Sequence, residues 1–199
     1  ALYIFDVHLP TSYPQVPPRV TYWAWGKRIN PNLYSNGKVC LSLLGTWAGP
    51  SWDPSLSTLL QVLVSIQSMI LIEQPYCNEP GQQGDGGSQA SVNYNKQVLA
   101  DVVHSVTMLA RAPPAGCADI VTSFLERQGP ALLRQTREFP NEFVTDEVIV
   151  GLDAALSHPL GAAVTGTRPA DEEGERLPTP KWLIVAAAPE EGEEGADAS

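Results

Sequence analysis

Cys40 stands in the apolar run Val39-Cys40-Leu41-Ser42-Leu43-Leu44, with turn-forming residues on both sides. Asn30-Pro31-Asn32 and Ser35-Asn36-Gly37 precede it and Gly45 follows. A cysteine thiolate is a strong nucleophile, so this position is a candidate for nucleophilic catalysis. The plainer reading is a small buried hydrophobe, the usual fate of a lone cysteine among aliphatic neighbours. Cys77 and Cys117 carry only that plainer reading. The three cysteines are widely and irregularly spaced and make neither a disulfide framework nor a zinc site. A reducing compartment, cytosol or nucleus, is the natural expectation. His8 sits in a strand and reads as a surface or packing residue, while His104 and His158 have no visible partner. Trp23, Trp25, Trp47 and Trp52 read as core or loop anchors.

The whole chain narrows the options further. It has 199 residues and a formal net charge of −10, with 12 basic against 22 acidic residues. Much of the acidic excess lies near the end, in Glu172, Glu173, Glu190, Glu191, Glu193 and Glu194, where apolar residues are few. Such a stretch reads as a solvated tail. An acidic chain offers no electrostatic footprint for nucleic acid or for an anionic membrane. No secretory signal is visible at the front. The longest apolar run, Leu59 to Ile72, is broken by Gln61, Ser65, Gln67 and Ser68, and is too short and polar to span a bilayer.

The elements that must position Cys40 are legible in outline. Leu2 to Leu9 alternates bulky residues as a strand does, and Pro10 ends it. Pro17-Pro18 stiffens the approach to a second strand, Arg19 to Trp25. A short Pro-rich connection between them predicts an antiparallel meander. Gly26 to Trp52 is irregular, and long loops in compact domains tend to carry function. Asp53 then reads as a helix cap with Pro54 at the first helical position. Leu59, Leu60, Val62, Leu63, Ile66 and Ile70 follow helical spacing to about Ile72. With Val64 and Leu71 also apolar, this central helix is expected to be buried on most of its circumference. Asn93 to about Arg111 predicts a second helix, stopped by Pro113-Pro114. Asp119 is placed to cap a third, running to about Phe139. Asn141 to Leu156 reads as a short helix. Trp182-Leu183-Ile184-Val185 is an apolar patch that either docks back or lies free. The order predicts an α+β fold with helices segregated from an antiparallel sheet. Residues 1–139 are expected to form the core, and 140–199 a poorly structured tail rich in acidic residues, Pro, Gly and Ala.

Phe5-Asp6-Val7-His8-Leu9-Pro10, Tyr13-Pro14, Pro17-Pro18, Asn30-Pro31-Asn32, Gly37-Lys38-Val39-Cys40-Leu41 and Trp52 followed by Pro54 occur in one order and spacing. Together they resemble the catalytic domain of ubiquitin-conjugating enzymes, over roughly Leu2 to Pro114. The resemblance implies an antiparallel meander packed on a central helix, with further helices after it. It also implies that the family's N-terminal helix and first strand are absent here, leaving an unpaired sheet edge. Asn30-Pro31-Asn32-Leu33-Tyr34, the run from Gly37 to Trp47 and Gln74-Pro75-Tyr76-Cys77-Asn78-Glu79 are similar to the large members that combine conjugating and ligase roles. These are the human O-type conjugating enzyme, its plant phosphate-homeostasis relatives and the giant apoptosis-inhibitor conjugating enzymes. Small conjugating enzymes carry His at the position of Asn30 and Asp at that of Ser42.

By this resemblance, Cys40 accepts ubiquitin from an activating enzyme as a thioester and releases it to a substrate lysine. Asn32, eight residues earlier, would stabilise the charge that develops on the thioester carbonyl oxygen. One preorganised amide donor of that kind is worth about 3 kcal/mol. Asn30 braces the turn that holds Asn32, and Pro31 biases Asn30 toward extended geometry. The motif contains no His to act as a base. The loop after the central helix is therefore expected to orient the incoming lysine, with Asn78 and Glu79 as its candidates. No cofactor is implied, because ATP is used by the upstream activating enzyme. Two loops are expected to meet partners, Tyr13-Pro14-Gln15-Val16-Pro17 and Trp52-Asp53-Pro54-Ser55. Many ligase-dependent members carry an aromatic residue where Gln15 stands, so a weaker grip on RING-type ligases is implied. The competing reading is a non-catalytic ubiquitin-binding variant, or an inactive fragment, of the same fold.

Overall fold

The computed structural model describes residues 1–84, 86–138 and 141–157, and the backbone of 182–186. Strand β1 (Leu2–His8) pairs antiparallel with β2 (Arg19–Tyr22), with Phe5 opposite Tyr22 and His8 opposite Arg19. The second strand is shorter than its sequence pattern predicts. After Tyr22 the ladder ends, and Trp25 and Gly26 turn the chain with φ of 44° and 75°. A positive φ cannot continue a β ladder, and an aromatic residue rarely adopts it.

The far edge of β1 is not left open, as the resemblance implies it would be. Strand β3 (Trp182–Ala186) lies antiparallel along it, from Leu2 opposite Ala186 to Asp6 opposite Trp182, giving the sheet order β2-β1-β3. An open edge presents a row of backbone donors and acceptors. A Trp-Leu-Ile-Val run, rich in β-forming residues, supplies the complementary row.

Helix α1 (Leu59–Ser65) continues through a π turn, Ile66–Ile70. It does not start at Asp53-Pro54. Thr58 and Gln61 form a reciprocal capping box, with Thr58 N donating to Gln61 Oε1 at 2.8 Å and Gln61 N donating to Thr58 Oγ1 at 3.3 Å. Asp53 instead folds a turn of its own, accepting from the backbone N and Oγ of Ser55. Only Val62, Ile66 and Ile70 of this segment are buried. Leu60 is 68% exposed and Val64 50%, so the expected burial all round is replaced by one buried face and an apolar face in solvent.

Helix α2 (Gln89–Arg111) is capped by Ser88, which accepts from Ser91 N, and starts earlier than its apolar pattern suggests. Helices α3 (Ala118–Glu138) and α4 (Asp146–Ser157) pack beside it. Gly129 lets α3 and α4 approach closely, since a Cβ there would lie 2.6 Å from a methyl of Leu156. The expected boundary at 139 and 140 lies outside the described residues. Beyond it, α4 and β3 belong to the packed fold, contrary to a poorly structured segment from 140. The reason is apolar anchoring: Leu152 and Ala155 of α4 are buried in one cluster with residues of α2 and α3. The remainder of that segment, 158–181 and 187–199, lies outside the described residues.

Two apolar clusters flank β1. Leu2 and Ile4 join Val103, Val106, Leu109, Val121, Leu125 and Leu152 among the helices. Phe5 joins Tyr22, Leu33, Val39, Leu41, Val62, Ile66 and Ile70 around the long loop. The alternation of side chains along a strand makes β1 their shared wall. The result is the α+β fold expected of the ubiquitin-conjugating catalytic domain.

Candidate active site

The loop that carries Cys40 has little secondary structure and is held by side-chain bonds. Leu33, Val39 and Leu41 anchor its apolar residues in the cluster under α1. Cys40 lies between Val39 and Leu41 and is itself only 3% exposed. Its backbone is tied twice to Asn32. Cys40 N donates to Asn32 O at 2.8 Å, and Asn32 Nδ2 donates to Cys40 O at 2.9 Å. The amide proposed for the thioester carbonyl thus braces the cysteine's own carbonyl when no acyl group is present.

Asn30 is 2% exposed and bonded at both ends of its amide. Its Nδ2 donates to Ile70 O at 2.7 Å, and its Oδ1 accepts from Asn32 N at 2.8 Å. A buried amide with both ends satisfied is locked in one orientation. Pro31 is buried, and its carbonyl accepts from the Arg28 guanidinium at 2.8 Å. The same guanidinium stacks over the Tyr34 ring, 4.5 Å from the centroid. Nothing in the sequence marks Arg28, because a cation two residues before a turn has no special pattern.

Thr46 is the second residue that the sequence did not reveal. Its hydroxyl accepts from Leu41 N at 3.0 Å and donates to Val39 O at 2.7 Å. One side chain therefore pins the residues on both sides of Cys40. Ser42 opens a 3-10 turn that Gly45 closes by donating from its N–H to Ser42 O. A Cβ at Gly49 would lie 3.0 Å from Ser42 Cβ, so the chain passes close to Ser42 there.

The loop after α1 adds a 3-10 turn, Pro75–Asn78. Asn78 Nδ2 donates to Met69 O at 2.9 Å and to Asn30 Oδ1 at 3.3 Å. Asn78 thus joins the brace around Asn30. Glu79 is not brought into that brace. Its N–H closes the turn on Tyr76 O, and its carboxylate is felt at Tyr94. Burial, the largest cause, pushes the Tyr94 phenol up to about 12. The Arg28 charge opposes that rise, while Glu79 and Asp101 add to it.

The two loops expected to meet partners lie against each other. Trp52 Nε1 donates to Pro14 O at 2.7 Å, and the Tyr13 and Trp52 rings pack 5.7 Å apart. Gln15 and Val16 are exposed at the tip of the first loop, and Asp53, Pro54 and Ser55 are exposed in the second. The half-buried Pro17 completes the first loop. Cys77 is half-buried and Cys117 buried, and all three thiols are free. Burial raises the Cys117 thiol above its ordinary value, with a smaller contribution from Asp6. That makes it a poor nucleophile, in keeping with a packing role.

Comparison with known proteins gives this arrangement a context. The family model for ubiquitin-conjugating enzymes matches residues 1–102. A putative ubiquitin-conjugating enzyme E2 38 of Arabidopsis thaliana is 51% identical over 120 residues, covering 57% of this chain and 37% of that protein. A probable ubiquitin-conjugating enzyme E2 23 of the same plant is 42% identical over 140 residues, covering 67% of this chain and 13% of that protein. In Caenorhabditis elegans, a probable ubiquitin-conjugating enzyme protein 17 is 36% identical over 187 residues, 86% of this chain and 25% of that protein. The chain thus spans well under half the length of these relatives.

Proposed function

The chain belongs to the ubiquitin-conjugating enzymes, and we propose from that premise that it carries ubiquitin as a thioester on Cys40 and passes it to lysine. In the first step the Cys40 thiolate attacks the ubiquitin C-terminal carbonyl held as a thioester on an activating enzyme. A C–S bond forms at Cys40, and the activating enzyme's cysteine leaves as thiolate. In the second step a neutral lysine amine attacks the same carbonyl. A C–N bond forms, Cys40 leaves as thiolate, and the amine proton passes to solvent or a nearby base.

One observation carries this reading: the reciprocal tie between Cys40 and Asn32, which holds a nucleophile and an amide donor in fixed relation. On thioester formation the Asn32 amide has only to leave one carbonyl for a neighbouring one. It would then stabilise the oxyanion as the lysine attacks. The buried thiol fits a carrier that opens when a partner docks. Three free thiols suit a reducing compartment, cytosol or nucleus. Direct selection of protein substrates is the finer part of the proposal. It is supported by the exposed polar Gln15, which stands where ligase-dependent members present an aromatic.

The test is incubation with activating enzyme, ATP and ubiquitin, followed by non-reducing electrophoresis. A ubiquitin adduct that thiol reductant removes is expected. Cys40→Ser should leave a reductant-resistant ester, and Cys40→Ala none. Ubiquitin binding without any adduct would instead favour a non-catalytic variant of the fold. Adding a RING-type ligase is expected to change the discharge rate little.

A further inference from the structure

We propose that Asn78 is a positioning residue for Cys40 chemistry, acting through Asn30 and then Asn32. The inference rests on the thioester reading above and adds a regulator of the geometry at that site. It starts from how α1 ends. The π turn closes with Leu71 N donating to Ile66 O, five residues back. A helix end leaves its last carbonyls without intrahelical donors, and π turns concentrate at functional sites. Here the Met69 and Ile70 carbonyls accept from two asparagines remote in sequence. Asn78 takes Met69 O, and Asn30 takes Ile70 O.

The two asparagines also bond each other. Asn30 Oδ1 accepts both from Asn78 Nδ2 and from Asn32 N. Reversing the Asn30 amide would set its NH2 group against those two donors, and its oxygen against Ile70 O. The network therefore admits one orientation. It runs from the turn at Pro75–Asn78, through buried Asn30, to the N–H of the residue whose amide holds the Cys40 carbonyl. Without Asn78, the Asn30 amide keeps two partners but loses its hold on the loop after α1. Asn32 then has a wider range of positions, and a displacement of a fraction of an ångström is costly to an aligned reaction.

The test separates positioning from acceptor binding and from folding. Cys40 is loaded from a small-thiol thioester of ubiquitin, which bypasses the activating enzyme, and discharge to free lysine is followed in single turnovers. Asn78→Ala is expected to load to wild-type yield, with an unchanged lysine concentration for half-maximal rate. Its limiting discharge rate should fall about tenfold. In an Asn30→Ala background, the same substitution should have no further effect. The proposal is overturned if discharge is unchanged, if the loss falls only on lysine affinity, or if the loss persists undiminished with Ala at position 30. Hydrogen exchange at the Asn32 backbone N–H reads the same joint without ubiquitin. Faster exchange in Asn78→Ala and Asn78→Asp supports the proposal, and unchanged exchange overturns it. Should the wild-type chain fail to load, the thioester reading fails, and the exchange result alone decides whether Asn78 holds Asn32.

Discussion

The two sides of β1 are built on different principles. The helical side is a packed apolar cluster in which Leu2 and Ile4 meet α2, α3 and α4. Its stability comes from burial, which is non-directional and scales with area. The loop side has an apolar floor from Phe5, Leu33, Val39, Leu41 and Ile66. Above that floor, directional bonds fix the backbone: Asn32 to Cys40, Asn30 to Ile70, Thr46 to Val39 and Leu41. Each such bond contributes only about 1 kcal/mol net, so their value is orientation more than stability. Helix α2 is shared, with Val98 and Val102 facing the loop cluster and Val103 and Val106 the helical one. The contrast teaches that one side keeps the domain folded while the other keeps one cysteine in register.

Substitutions on the two sides should therefore separate activity from stability. Cys40→Ala should abolish the ubiquitin adduct and shift the urea midpoint little, because it removes a single sulfur. A large loss of stability would show that the loop side also holds the fold. Leu109→Ala, at a side chain with 0% exposure in the helical cluster, should cost about 2–5 kcal/mol by denaturant titration. Thioester formed per folded molecule should stay the same. Reduced loading of that folded fraction would break the comparison, since packing would then govern the loop. Thr46→Val should cost about 1–3 kcal/mol, because the Leu41 N–H and Val39 carbonyl lose their partner. It should also slow discharge from Cys40, measured in single turnovers. A stable variant with an unchanged rate would mean that the Thr46 hydroxyl does not hold the cysteine.

The same division explains what could be read in advance. The first strand, α2 and the Cys40 motif were legible, because local alternation, helical spacing and a fixed residue pattern announce them. The start of α1 was misread, since Asp53-Pro54 is a louder cap signal than Thr58 with Gln61. Their reciprocal bonds decide the matter only in three dimensions. The exposure of Leu60 and Val64 was missed because apolar composition does not tell which neighbours are present. Pairing of Trp182–Ala186 with Leu2–Asp6 joins the two ends of the chain and leaves no local trace. The Asn30–Asn78 bond spans 48 positions and was invisible for the same reason. Asn32 and Cys40 could be paired by motif, whereas Thr46 could not, since a threonine after a glycine suggests only a turn.

The smallest expected effect is a pH dependence at helix α2. His104 on α2 has its imidazole held below the ordinary value of 6.5, first by burial and then by the Lys27 charge. Asp101, itself paired with Lys27 at 3.3 Å, opposes that shift, and Arg111 adds slightly to it. A lowered pKa means that the unfolded chain binds the proton more readily than the folded one. The stabilisation is therefore complete above pH 6.5 and is lost as the pH falls through the folded value. Thermal midpoints of the wild type should drop between neutral and mildly acidic pH, and His104→Gln should flatten part of that drop. Because the residue is only half-buried, solvent screening keeps the change small. Discharge from Cys40 at neutral pH should be the same in both proteins. A rate altered by His104→Gln would show that α2 transmits its charge state to the loop, and the two sides of β1 would no longer count as separate.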